Sequence, residues 1–368
     1  MILPQRQHLR LFYFLILGLL PSLVVAQVES DTLTKRKNSF IPLPVIYFTP
    51  ETSWSFGAAA VYAFRFEKEP IASRPSQLRT GFAYTLNKQI LASLNFQLFR
   101  KDELYKFYGE LGYYDYIYEF SGIGNNKIGT RRELYQVKYP RVRINALYEV
   151  RPQLYLGLRY WMDSFNIIKR DEEGVLIQNT VTGSDGGFLS GMGIVANLDT
   201  RDNIFFATEG KFVEIVLFHN GETFGSPFNF SKLYMDYSQF WKIGTQQSIG
   251  LNLSGEFTSG NPTFDALAQM GGVKKMRGYF RGRYRDKQYL ASQMEYRIHL
   301  FWRIGLTVFG SAGIIGPNLE SLRSDFMRYS YGSGLRFMLS KKEKINIRID
   351  AGFTPSGNGI YITIGEAF

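Results

Sequence analysis

Residues 54–66 read Trp54-Ser55-Phe56-Gly57-Ala58-Ala59-Ala60-Val61-Tyr62-Ala63-Phe64-Arg65-Phe66. One parity gives Trp54, Phe56, Ala58, Ala60, Tyr62, Phe64 and Phe66; the other gives Ser55, Gly57, Ala59, Val61, Ala63 and Arg65. Successive side chains of a β-strand point to opposite faces, so one face here is aromatic at both ends and small in the middle. Such a face suits a strand that crosses a bilayer with its rings at the two interfaces. The period recurs in 345–353, where Ile345, Ile347, Ile349, Ala351 and Phe353 alternate with Asn346, Arg348, Asp350 and Gly352. It recurs again in 249–257, where Ile249, Leu251, Leu253 and Phe257 alternate with Gly250, Asn252, Ser254 and Glu256. No amphipathic helical pattern of comparable length competes.

These segments have the length, about ten residues, that a tilted strand needs to cross the hydrocarbon core. Their second face carries charges that the dry core of a soluble β-sandwich would reject and that a wet or plugged lumen accepts. Composition agrees: aromatics make up 16% of the chain, with 24 Tyr, 31 Phe and 36 Gly. The fold expected is all-β, a transmembrane antiparallel β-barrel of about sixteen strands. They lie near 43–48, 53–66, 77–87, 89–100, 104–114, 134–149, 153–166 and 188–199, then 209–219, 229–241, 246–257, 286–299, 303–313, 328–339, 344–353 and 358–368. An even count suits a single-chain barrel with both termini in the periplasm. With the first strand rising, the long connections 115–133, 167–187 and 258–285 then all fall outside, after strands 5, 7 and 11.

The N-terminus reads as a removable segment. Arg6 and Arg10 precede an apolar run, Leu11 to Val25, that closes on Val24-Val25-Ala26. A basic start, a short apolar stretch and a small exit residue define a secretory signal peptide over 1–26. A transmembrane anchor would need about 20 apolar residues, and this run is shorter and contains Pro21. Residues 27–40 then form a short polar periplasmic leader, and 41–368 the barrel. The formal net charge is +11, and loss of 1–26 lowers it by two. Export argues against nucleic acid as partner; anionic lipid head groups and lipopolysaccharide phosphates fit the charge better. The absence of cysteine excludes disulfides, thiolate sites and lipid acylation. Outside the signal segment only His219 and His299 remain, which leaves a zinc site or a His-based triad poorly supplied. No enzyme activity, cofactor or metal is expected.

Three stretches carry more. The chain ends Gly359-Ile360-Tyr361-Ile362-Thr363-Ile364-Gly365-Glu366-Ala367-Phe368. Ile360, Ile362, Ile364 and Phe368 share a parity that Glu366 breaks, as in a final strand ending on phenylalanine. In 197–203 Asn197-Leu198-Asp199-Thr200-Arg201-Asp202-Asn203 forms a polar turn, and Arg201 between the carboxylates argues against calcium. The stretch 271–299, GGVKKMRGYFRGRYRDKQYLASQMEYRIH, places Met276-Arg277-Gly278-Tyr279 in the sixth outside loop. It leads into a strand whose inward set is Gln293, Glu295, Arg297 and His299.

This stretch resembles the BamA/TamA family of outer-membrane assembly and translocation barrels, also called the bacterial surface antigen family. Its hallmark is an apolar-Arg-Gly-aromatic motif in the sixth outside loop, folded back into the lumen. The resemblance implies that Arg277 pairs with Glu295 on the barrel wall, with Gly278 as a tight turn and Tyr279 as the aromatic. It implies that Asp199, Arg201, Asp202 and Asn203 form the family's periplasmic turn, for which an ordinary polar turn is the plain alternative. It also implies that Phe368 ends a C-terminal assembly signal. Residues Pro44 to Thr52 and Phe56 to Ala59 look like the family's barrel start, so the resemblance runs from about 42 to 368.

There are departures. The family's second wall acid, on the next strand before a glycine, is replaced by Ser311, and periplasmic POTRA domains are missing, as in a short barrel-only member. The function implied is insertion or translocation of outer-membrane proteins or lipids, through a weak seam between a short first strand bearing Pro42 and Pro44 and the last. The partners implied are client outer-membrane proteins and accessory subunits. The alternatives are a passive or plugged pore that keeps only the fold, and a barrel subunit of a larger complex. Lys274, Lys275, Arg281, Arg283, Arg285 and Lys287 in the same loop read as a positive lumen plug, a lipopolysaccharide contact or a plain solvated loop.

Overall fold

A computed structural model describes residues 38–49, 53–70, 72–125 and 132–368. The expected signal peptide and most of the leader lie outside the described residues.

Sixteen strands form one antiparallel sheet in chain order, interrupted only by a small separate hairpin. They are β1 (Ser39–Thr49), β2 (Ser53–Phe64), β3 (Ser76–Thr85), β4 (Ile90–Arg100), β5 (Tyr105–Phe120), β6 (Glu133–Arg151), β7 (Leu154–Lys169) and β8 (Gly187–Asp199). After them come β9 (Gly210–Asn220), β10 (Phe230–Lys242) and β11 (Gln247–Gly260), the hairpin β12 (Ala268–Met270) and β13 (Tyr284–Asp286), then β14 (Gln288–Phe301) and β15 (Ile304–Gly316). The last are β16 (Arg328–Ser340), β17 (Ile345–Thr354) and β18 (Gly357–Ile364). Every neighbour pairs with the next by a hairpin connection, so the sheet is a simple meander.

The expected parities set the two faces. In β2, Ser55, Val61 and Ala63 are buried while Trp54 and Phe56 are exposed. In β17, Asn346, Arg348 and Asp350 are buried and Ile349 and Phe353 exposed. The exposed face is apolar and aromatic and the buried face polar, an arrangement inside-out relative to a soluble protein. In lipid, where no water satisfies backbone groups, a rolled sheet of paired strands is the form tolerated besides helices.

Four differences from the expected strands have physical reasons. β1 is not short: it pairs with β2 from Ser39↔Ala63 to Thr49↔Ser53. Pro42 and Pro44 sit two residues apart, so their missing donors fall on one edge, and an edge strand tolerates that. β5 continues to Phe120 because Tyr116 to Phe120 pair with Glu133 to Val137 of β6. Ile345 is buried rather than outward, packed with Val61, Ala63 and Phe205. β18 stops at Ile364, and Phe368 does not share its outward face.

The sheet curls until its two edges approach. At the end carrying the short turns 101–104, 152–153, 302–303 and 341–344, Ile41 of β1 and Ile364 of β18 pack against one cluster of Val61, Ala63, Phe205 and Ile345. Among the described residues no ladder joins β1 to β18; the sheet order begins at one and ends at the other.

Candidate functional site

The connection between β11 and β14 folds back into the cylinder. Its hairpin pairs Ala268↔Asp286 and Met270↔Tyr284. Beyond it the chain makes a tight tip, with Gly272 N–H donating to Tyr279 O (2.9 Å) and Tyr279 N–H to Met276 O (3.2 Å). Ala268, Met270, Met276, Tyr279 and Tyr284 bury themselves against Tyr289 and Ala291 of β14 and Ile315 of β15. Side chains of this size contribute about 1.5–3 kcal/mol each on full burial, which holds the tip to the wall.

That packing delivers Arg277 to the interior. Its guanidinium is fully buried. Nη2 donates to Glu295 Oε1 on β14, and Nη1 donates to Asp350 Oδ2 on β17 at 2.5 Å. Phe309 of β15 lies under it, the guanidinium carbon 3.6 Å from the ring centroid. The two acids are shared onward. Arg297 Nε donates to Glu295 Oε2 at 2.8 Å, Arg336 Nη1 to Asp350 Oδ1 at 2.6 Å, and Arg348 Nη1 stands 3.2 Å from Asp350 Oδ2. Buried charges persist only when paired and hydrogen-bonded, and here each carboxylate meets more than one guanidinium.

Asp350 was not assigned to this site from the sequence. Ser311 stands in the inward row of β15, but among the described residues its Oγ has no hydrogen-bond partner. The second acid comes from two strands further on. Its signal was the inward set Asn346, Arg348, Asp350 and Gly352, legible by parity but not by proximity.

Backbone meets backbone at the next residue. Gly278 has φ +111°, and a Cβ there would fall 3.1 Å from Gly352 C and 2.7 Å from Thr354 Cγ2. A Cβ on Gly352 would fall 2.7 Å from Gly278 N and from Arg277 C. Both positions therefore exclude side chains. Tyr361 of β18 locks the contact: its hydroxyl accepts from Gly278 N–H (2.9 Å) and donates to Tyr279 O (3.1 Å). Tyr279 Oη in turn donates to Tyr329 O at 3.3 Å.

The turn after β8 makes a second charged centre at the short-turn end of the cylinder. Asp199 is fully buried and takes a two-pronged contact from Arg201, Nε to Oδ1 at 2.8 Å and Nη2 to Oδ2 at 2.9 Å. Lys106 Nζ of β5 donates to the same Oδ2 at 3.3 Å, and Arg74 Nη1 stands 3.2 Å from it. Asp202 Oδ1 accepts from Thr208 N–H (2.8 Å) and Glu209 N–H (3.1 Å), closing the turn. Asn203 Oδ1 accepts from Phe205 and Phe206 N–H at 2.8 and 2.9 Å, the local bonding that favours Asn in turns. The result throws Phe205 across the mouth onto β2 and β17.

The C-terminus also turns inward. Gly365 has φ +85°, after which Glu366 Oε2 accepts from Arg336 Nε (2.8 Å) and Oε1 from Asn346 Nδ2 (2.8 Å). Phe368 stacks on Phe240 at 5.8 Å between ring centroids, and its carbonyl accepts from Arg297 Nη2 at 3.3 Å. Glu366 thus breaks the outward parity because it serves the interior.

The remaining basic residues of the loop divide between roles. Arg285 is buried against the rings of Phe120 and Phe264, and Lys275 Nζ reaches Asp236 at 3.2 Å. Arg281 binds Gln269 (3.1 Å) and Lys287 the carbonyl of Gly260 (2.8 Å), both in exposed surroundings. His219 has Nδ1 2.9 Å from Ser231 Oγ on the exposed face, and His299 lines a cavity at the short-turn mouth.

A sixteen-stranded meander with an apolar exterior, a charged interior and an inturned loop bolted by arginine defines a membrane-spanning β-barrel. Residues 55–368 match the Omp85 superfamily domain, and the chain belongs to that superfamily. Its fold matches BamA from Haemophilus ducreyi lacking POTRA domains 1–3, with TM-score 0.55 and 14% identity over 90% of this chain and 69% of that one. It also matches CdiB from Escherichia coli (TM-score 0.57, 9% identity, 89% of this chain and 62% of that one) and CdiB from Acinetobacter baumannii (0.54, 10%, 88% and 59%). Comparison with curated protein sequences gives no match. The protein resides in the bacterial outer membrane.

Proposed function

We propose that this barrel inserts or translocates outer-membrane proteins or lipids, opening between β1 and β18, with its short-turn end in the periplasm and residues 1–26 removed as a signal peptide. The observation that carries the reading is the seam: among the described residues β1 and β18 meet through side chains near Ile41 and Ile364 and not through a ladder. Backbone pairing is what keeps a sheet edge closed in lipid, so a junction lacking it is where the wall parts at least cost. The Arg277 centre supports the same reading, because it fastens the loop to β14 and β17 and leaves β18 held by β17 and Tyr361. Cysteines at Ile41 and Ile364, joined by a thiol crosslinker in this cysteine-free chain, should stop assembly of a urea-denatured client barrel in proteoliposomes. Unchanged client folding by the crosslinked protein rejects the moving seam.

A second reading, a plugged pore, draws on two interior cavities of about 280 and 320 Å3 that share Arg143, Trp161 and Tyr234. Deleting 265–285 should then enlarge single-channel conductance in planar bilayers while client assembly was absent from the start.

A further inference from the structure

A cavity of about 430 Å3 lies at the short-turn mouth and shares Arg297 and Arg336 with the Arg277 centre; all its charged lining residues are cationic: Lys242, Arg297, Arg303, Arg336, Lys341 and Lys344. Arg297 and Arg336 are compensated by Glu295, Asp350 and Glu366. Lys242 and Lys344 reach acids of the β8–β9 turn only at 3.7 Å, Glu209 and Asp202 respectively. Among the described residues Arg303 and Lys341 pair with no carboxylate; Arg303 is held in place by the carbonyls of Met338 (2.7 Å) and Leu339 (3.0 Å), which orient it without neutralising it. A recess of one sign between low-dielectric walls concentrates potential and attracts anions.

The same recess touches the lipid-facing wall. Trp302 lines it, yet is 63% exposed, and packs edge-on against outward Phe337 with ring centroids 5.8 Å apart. Phe301, Trp241 and Ile243 are exposed beside it. An aromatic girdle of this kind marks the level of the lipid head groups, so the cationic recess opens at head-group height.

We infer that this recess binds the phosphate of an anionic phospholipid in the leaflet at the short-turn end, with the acyl chains lying along the wall below Trp302. A free phosphate would use the cations but not the girdle. The site belongs to the barrel itself and does not depend on the proposed assembly activity.

The test uses the full chain in nanodiscs of phosphatidylcholine containing brominated phosphatidylglycerol or, in parallel, brominated phosphatidylcholine. Quenching of Trp302 is isolated by difference from Trp302→Phe. Phosphatidylglycerol should quench Trp302 saturably and in preference to phosphatidylcholine. Lys341→Gln, at an exposed residue, should cut the preference about fivefold, and adding Arg303→Gln about fivefold more. Arg303→Lys with Lys341→Arg should retain it, which separates charge from folding. Equal quenching by both lipids, or a preference unchanged in Lys341→Gln, overturns the inference. So does a third arm in which inorganic phosphate, at low millimolar level, abolishes the preference entirely, since free phosphate is then the ligand.

Discussion

Arg277 and Asp350, 73 residues apart in the chain, are joined by a hydrogen bond of 2.5 Å between Nη1 and Oδ2 inside the barrel. Because the same guanidinium also serves Glu295, the loop tip is tied to two strands at once. Asp350→Ala and Glu295→Ala should each destabilise the folded barrel by about 3–5 kcal/mol, the cost of leaving a buried charge without its partner. Urea titration of the heat-modifiable band in detergent measures it. The coupling is decisive: Arg277→Ala should cost much less in the Asp350→Ala background than alone. Additive losses would mean that the pair is geometric only.

The glycine contact gives a sharper test. Gly352→Ala puts a methyl 2.7 Å from Gly278 N, where backbone rather than a flexible side chain must move. The tip should be pushed off β17, at a cost of about 1–3 kcal/mol, and become accessible to trypsin at Lys274, Lys275 and Arg281. A cleavage pattern identical to the parent's would show that the tip accommodates the methyl.

In the β8–β9 turn, Asp199 gathers Arg74, Lys106 and Arg201. Asp199→Asn removes the one negative charge these three share and should lower stability by about 3–5 kcal/mol. Asp202→Asn, whose carboxylate caps exposed backbone N–H groups, should cost only about 1 kcal/mol. Equal midpoints for the two variants in thermal melts would contradict the buried assignment.

Phe368→Ala separates two roles of the terminal residue. In refolding from urea it should lose about 1.5–3 kcal/mol, because the ring packs on Phe240 and beneath Arg297. If Phe368 is also read as an assembly signal, the yield of folded protein in cells should fall by more than that stability loss explains. Matching losses would assign it a packing role alone.

Much of the fold was legible because a membrane barrel writes it into parity. Trp54 to Phe66 and Ile345 to Phe353 each announce an oily and a wet face, and no helix-length pattern rivals them. Arg277 and Glu295 were legible too, the first as a motif in a loop and the second as an inward residue of the strand that follows. Asp350 was visible as inward but not as a partner, since parity gives the face and not the height or the angle around the cylinder.

The sequence by itself determined the strand count and the two faces, because each depends on residues close together in the chain; the inward fold of the loop was implied only by the family resemblance around Arg277. Only the tertiary structure decided which inward charges meet. Asp350 in place of Ser311, the inturned Glu366 and Phe368, and Phe205 spanning the mouth all follow from how the sheet curls. That curvature is a sum of twist and packing over every strand, and no local stretch of residues encodes it.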